Sequence, residues 1–212
     1  MAAYDLEEQE QLDALKQWWA RYGNAVLGVV IVALFAVAGW RGWQWYQGHQ
    51  ASQAMGYFEA LQTAAVDDSD DSAARIKAAS ETLREKFPDS GYASRGVLIA
   101  ADALSKRDDF DGAKTQLDWL VKNKADAALM PLARLRLAGL LLEQKQYDQA
   151  LSQLTDVPAQ FEALYADRRG DVLYAQGKTA EAREAWESAV KELGEQSAAQ
   201  FIQLKIDALG DA

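Results

Sequence analysis

The chain has 212 residues, a formal net charge of −10, a sequence pI of about 4.6 and no cysteine. The missing thiols exclude a disulfide framework, a thiolate metal site and a cysteine nucleophile. The acidic balance repels a phosphate backbone, so nucleic acid is not an expected partner.

The N-terminus is acidic: residues 1–22 hold Asp5, Glu7, Glu8, Glu10 and Asp13 against Lys16 and Arg21. Between Arg21 and Arg41 runs YGNAVLGVVIVALFAVAGW, nineteen residues without a formal charge. As a helix it reaches roughly 28 Å, about the thickness of a hydrocarbon core. Five of the seven tryptophans fall before residue 46. Trp18, Trp19 and Tyr22 stand at one end of the apolar stretch, and Trp40, Trp43, Trp45 and Tyr46 at the other. Amphipathic rings flanking an apolar span are expected at the two levels where headgroups meet water. AVAG at 36–39 also fits a signal-cleavage site, but the net charge of −3 over residues 1–22 opposes an export signal, which has a basic n-region. Lys16 and Arg21 precede the span while Arg41 alone closely follows it, a margin of one toward a cytoplasmic N-terminus. The expected organisation is an acidic cytoplasmic segment over 1–21, a transmembrane helix with aromatic belts over 22–46, and a repeat domain over 47–212.

From Gln50 onward Ala, Leu, Gln, Glu and Lys dominate, with no sustained alternation of β-branched residues, so the domain is expected to be all-α. Breakers at VDDSDDS (66–72), FPDSG (87–91), KNKAD (122–126), MP (130–131), DVP (156–158) and QGK (176–178) divide it into helices of about 12–18 residues. The acidic run lacks the glycine and terminal glutamate of an EF-hand loop and reads as a solvated loop whose last Asp or Ser caps the next helix.

Three segments superimpose: ALSKRDDFDGAKTQL from Ala103, LLLEQKQYDQALSQL from Leu140 and VLYAQGKTAEAREAW from Val172. A leucine (Leu104, Leu141, Leu173) precedes an aromatic or Thr position (Phe110, Tyr147, Thr179), then an alanine (Ala113, Ala150, Ala182) and a large apolar residue (Leu117, Leu154, Trp186). Ala101, Ala138 and Gly170 stand twelve residues before the alanines, which recur at intervals of 37 and 32. These intervals bracket the 34 of a tetratricopeptide repeat. Two antiparallel helices cross closely where a small residue on one faces a small residue on the other, which explains the register. In the third copy Arg169 falls on an expected apolar position. MGYFEALQTAAV and AARIKAASETLREKF are expected to form a preceding pair, and SAAQFIQLKIDAL a terminal cap.

Offsetting from the packing positions aims Leu98, Asp102 and Ser105, then Leu135, Gly139 and Leu142, then Asp167, Asp171 and Tyr174 toward the concave side as a partner groove. Its mixed apolar and acidic lining would suit a segment with apolar and basic residues. His49 is the one histidine and follows the second aromatic cluster, so no zinc site or Ser-His pair of the usual form is expected. No phosphate loop, nucleophile elbow or metalloprotease motif occurs, and the expectation is a protein that is not an enzyme and uses no cofactor or metal.

DLEEQEQLDALKQWWARYGN running into the span, the following GWRGWQWYQ, the helical repeats and the ending FIQLKIDALGDA together resemble the YfgM family over nearly the whole chain. That resemblance implies a bacterial inner-membrane protein with a periplasmic tetratricopeptide-like domain. It also implies an ancillary role at the SecYEG translocon beside the periplasmic chaperone PpiD, with secreted client chains nearby. It carries no catalytic residues. Two other roles stay open: restraint of a cytoplasmic response regulator by the acidic N-terminal segment, and a general scaffold for envelope assembly.

Overall fold

The computed structural model describes residues 2–123 and 126–210, with side chains from Glu10 onward. The Asp5, Glu7 and Glu8 side chains of the acidic segment, Lys124 and Ala125 of the KNKAD breaker, and the last two residues of the C-terminal ending lie outside the described residues. Among the described residues there are nine α-helices and one 3₁₀ turn and no strand, as the sequence leads one to expect of an all-α chain. The chain divides into two compact units, Met1–Ala51 and Ser52–Ala212.

The first unit is the greater part of helix α1, Ala2–Val66. Its apolar stretch satisfies its backbone internally, the condition for crossing lipid. The side chains are uncovered: Val29, Phe35 and Val37 are all exposed, whereas the core helix of a soluble protein would bury them. By length and composition this helix can cross a membrane.

The second unit begins with the end of α1, followed by α2 (Ser72–Lys86), α3 (Gly91–Ser105), α4 (Phe110–Asn123), α5 (Met130–Glu143), α6 (Tyr147–Gln153), a 3₁₀ turn (Ala159–Phe161), α7 (Glu162–Ala175), α8 (Thr179–Leu193) and α9 (Ser197–Asp207). Local signals set several boundaries. Ser90 caps α3 by accepting the Tyr92 N–H at 3.2 Å, Asp109 Oδ1 accepts the Gly112 N–H at the start of α4, and Pro131 lies in the first turn of α5. The acidic loop departs from its expected cap, because Asp71 makes no side-chain cap bond to α2. Its carboxylate is drawn instead to Arg75 at 3.2 Å and to the Ser69 hydroxyl at 2.7 Å. Arg75 also bonds Asp67 and, with Ser69, holds that carboxyl below the usual range.

The repeat register is realised three times. Ala101, Ala138 and Gly170 are buried, as are Ala113, Ala150 and Ala182. Leu117, Leu154 and Trp186 fill the core between, and Phe110, Tyr147 and Thr179 are half-buried beside the turns. The pair before them is also present: Gly96 of α3 is so close to Leu83 of α2 and Leu61 of α1 that a Cβ would meet them at 2.8 and 3.1 Å.

A device absent from the sequence comparison repeats at each turn. Five residues before the packing alanine the backbone turns left-handed, at Asp108 (φ 58°), Lys145 (φ 58°) and Gly177 (φ 78°). The next N–H then reaches back to the helix, Asp109 to Leu104, Gln146 to Leu141 and Lys178 to Leu173, at 3.0, 2.8 and 2.9 Å. That is a Schellman closure, which satisfies carbonyls the helix end would leave open.

The residue one position earlier ties each pair to the one before it. Gln144 donates to Asp111 at 3.3 Å and Gln176 to Asp148 at 3.1 Å. In the first copy Arg107 takes this role, donating to the Ser72 hydroxyl and to the Ala65 and Asp67 carbonyls at the end of α1. Arg169, out of pattern for an apolar position, donates to the Leu154 carbonyl at the end of α6 at 3.0 Å.

Candidate functional site

Two surfaces carry the candidate site residues, one in each unit. On the first unit Trp18, Trp19, Tyr22, Trp40, Trp43, Trp45 and Tyr46 are all exposed. Within each cluster the rings associate at helical spacing. Trp18 lies 5.9 Å from Tyr22 and 6.3 Å from Trp19, Trp43 lies 6.2 Å from Tyr46, and Trp45 stacks on His49 at 5.6 Å. Gln50 donates to the Tyr46 hydroxyl at 2.9 Å. Trp18 and Trp40 are separated by roughly 33 Å along the helix axis at 1.5 Å per residue, close to the roughly 30 Å of a hydrocarbon core. Such rings present an apolar body and a polar edge, the chemistry of a lipid–water boundary.

On the second unit the residues expected to form the partner groove lie on α3, α5 and α7. A cleft of about 290 Å³ opens there, lined by Asp102 and Ser105 of α3, Arg136, Gly139 and Glu143 of α5, and Arg168 of α7, over a floor that includes Ala113 and Leu117. Asp102, Ser105 and Gly139 are thus brought together. Leu98 is buried in the core, its carbonyl accepting from Arg136 at 3.1 Å, while Leu135 and Leu142 are half-buried against the same core. Relative to Ala101, Ala138 and Gly170, the exposed face of α5 and α7 is turned slightly from the expected offsets, and Arg136 and Arg168 take places next to Leu135 and Asp167.

The third copy is occupied from within. Lys205 of α9 places its ammonium 2.6 Å from Asp167 and 2.7 Å from Asp171, and 5.6 Å over the Trp186 ring. Trp186 Nε1 donates to Asp171 and to the Asp167 carbonyl at 3.2 Å. Burial pulls the Lys205 ammonium down, but the bonds to Asp167 and Asp171 outweigh it and hold the group above its ordinary range. Tyr174 is exposed, its ring 5.7 Å from that of Trp186. Arg168 lies 3.5 Å from Asp171 and rests its guanidinium on Gly139, where an added Cβ would touch it at 3.4 Å.

Arg136, Glu143, Arg168 and Lys205 were not among the residues the sequence pointed to. A one-residue shift of the helical face would have found the two arginines. Nothing local signals Lys205, because its partners are 38 and 34 residues away. The assembled surface offers hydrogen-bonding and ionic groups in a shallow cleft.

The sequence pattern of a tetratricopeptide repeat-like domain family matches residues 16–211. A Neisseria gonorrhoeae protein named ancillary SecYEG translocon subunit is 33% identical over 99% of this chain and 100% of its own length. Proteins of the same name from Haemophilus influenzae and Escherichia coli are 28% and 30% identical, over 98% and 95% of this chain and 100% and 96% of theirs. With an apolar helix at one end, repeated helix pairs behind it and likeness along the full length, the chain belongs to the YfgM family of tetratricopeptide repeat-like proteins.

Proposed function

We propose that this protein is a single-pass inner-membrane scaffold of the SecYEG translocon, with residues 1–21 cytoplasmic, 22–46 in the bilayer and 47–212 periplasmic. The observation that carries this reading is the end-to-end likeness to proteins named ancillary SecYEG translocon subunit, which includes the span as well as the repeats. The exposed aromatic clusters support it by fitting the two edges of a bilayer. The concave face, with Asp102, Ser105 and Gly139 in its cleft, holds a segment of a periplasmic chaperone such as PpiD or of an emerging secreted client. The role is binding rather than catalysis. Tethering beside the channel raises the local concentration of the bound partner, so the groove works with modest intrinsic affinity.

Gentle solubilisation of membranes followed by capture of the tagged full chain recovers the channel and the chaperone on this reading. Recovery of neither refutes it. A reporter fused after Asp207 reads out as periplasmic, and a cytosolic signal would reverse the topology.

A further inference from the structure

The charges around the concave cleft can be paired off one by one. Asp102 is taken by Lys106 at 2.8 Å. Asp167 and Asp171 are taken by Lys205, and Asp171 is shared with Arg168 at 3.5 Å. Two charged residues that line the cleft remain without an ionic partner among the described residues, Arg136 and Glu143. Arg136 makes one bond, to the neutral Leu98 carbonyl, which leaves its charge uncompensated. Both are exposed and both project from α5, seven residues apart, with Gly139 between them. At 1.5 Å per residue their Cα atoms are separated by about 10.5 Å along the helix.

We infer that the cleft binds an extended polypeptide segment carrying one acidic and one basic side chain three residues apart, the acid on Arg136 and the base on Glu143. The spacing selects this occupant. In a polyproline II chain residues three apart lie on the same side and about 9.3 Å apart, close to the separation on α5. Gly139 carries no side chain between the two charges, and the Arg168 guanidinium that lies against it presents a flat polar surface to the ligand backbone. A uniformly basic segment, which the acids of the sequence would favour, meets acids already neutralised by Lys205 and Lys106.

The inference rests on the concave face being the partner surface. The full chain in detergent micelles is titrated with a fluorescein-labelled twelve-residue peptide with Glu-Pro-Pro-Lys at its centre and Gly-Ser flanks, and with peptides carrying Glu-Pro-Pro-Glu or Lys-Pro-Pro-Lys instead. Fluorescence polarisation reads binding to about 1 mM. The mixed-charge peptide binds about tenfold more tightly than either like-charged peptide. Arg136→Glu and Glu143→Lys each weaken it about tenfold, and the double exchange restores binding because the peptide then lies in the opposite direction. Equal binding of all three peptides, no binding of the mixed one, or a double variant as weak as the single ones overturns the inference. The wild-type comparison stands even if a variant fails to fold. Because purified protein and synthetic peptide suffice, failure here leaves translocon capture untouched, and failed capture leaves the peptide result untouched.

Discussion

A Cβ added to Gly170 would collide with the indole of Trp186. The corresponding positions in the other two copies are Ala101 with Leu117 and Ala138 with Leu154, so the third repeat exchanges a methyl on one helix for a larger ring on the other. Gly170→Ala therefore overpacks this crossing and costs about 1–3 kcal/mol. Trp186→Leu made together with it relieves the clash. Urea midpoints of the single and double variants check this, and additive losses would mean that the two positions do not share a contact.

The three left-handed turn residues are not equivalent. Gly177 adopts φ 78° without a side-chain penalty, whereas Lys145 holds φ 58° with one. Lys145→Gly is expected to stabilise the domain and Gly177→Ala to destabilise it, each by about 1 kcal/mol. Thermal unfolding monitored by circular dichroism gives opposite shifts for the two variants. Shifts of the same sign would contradict the turn assignment.

Lys205 joins the C-terminal helix to the last repeat through Asp167 and Asp171. Lys205→Met removes both ion pairs and leaves two carboxylates facing each other. The loss is expected near 1 kcal/mol, a modest figure because 35% of the side chain is exposed to solvent. The folded state raises the pKa of Lys205, so its contribution is complete below the unfolded lysine value of about 10.4 and disappears as pH climbs through the folded value. In alkaline titrations the wild-type domain loses stability there and the Met variant lacks that component. A variant whose alkaline profile matches wild type would show that the ammonium contributes nothing.

Arg107 binds the end of α1 to α3 through Ser72, Ala65 and Asp67. Lysine cannot reproduce a fork of donors aimed at several acceptors, so Arg107→Lys as well as Arg107→Ala is expected to cost about 2 kcal/mol. Hydrogen exchange should quicken in the last turn of α1 and the first of α2, while α8 and α9 stay protected. Uniform quickening across the domain would mean a different cause.

Much was legible before any tertiary information. Nineteen residues without a formal charge between aromatic clusters mark a helix long and apolar enough to cross a membrane, and three copies of one small-residue register mark helix pairs because backbones approach closely only at small side chains. These are local constraints, written at fixed spacing along the chain. The register paired Gly170 with the small Ala182, and the Trp186 indole that lies against Gly170 is visible only in the folded chain.

The character of the concave face was decided elsewhere. Asp167 and Asp171 read as free acids until α9 brings Lys205 to them from 38 and 34 residues away, while Arg136 and Glu143 in the cleft have no ionic partner among the described residues. Leu98 is buried in the core although Asp102 and Ser105 of the same helix line the cleft, and on α5 the residue next to Leu135 enters the cleft in its place. Periodicity fixes which stripe of a helix is apolar. Which charges on the other stripe are neutralised depends on distances between helices, and those exist only once the helices are packed.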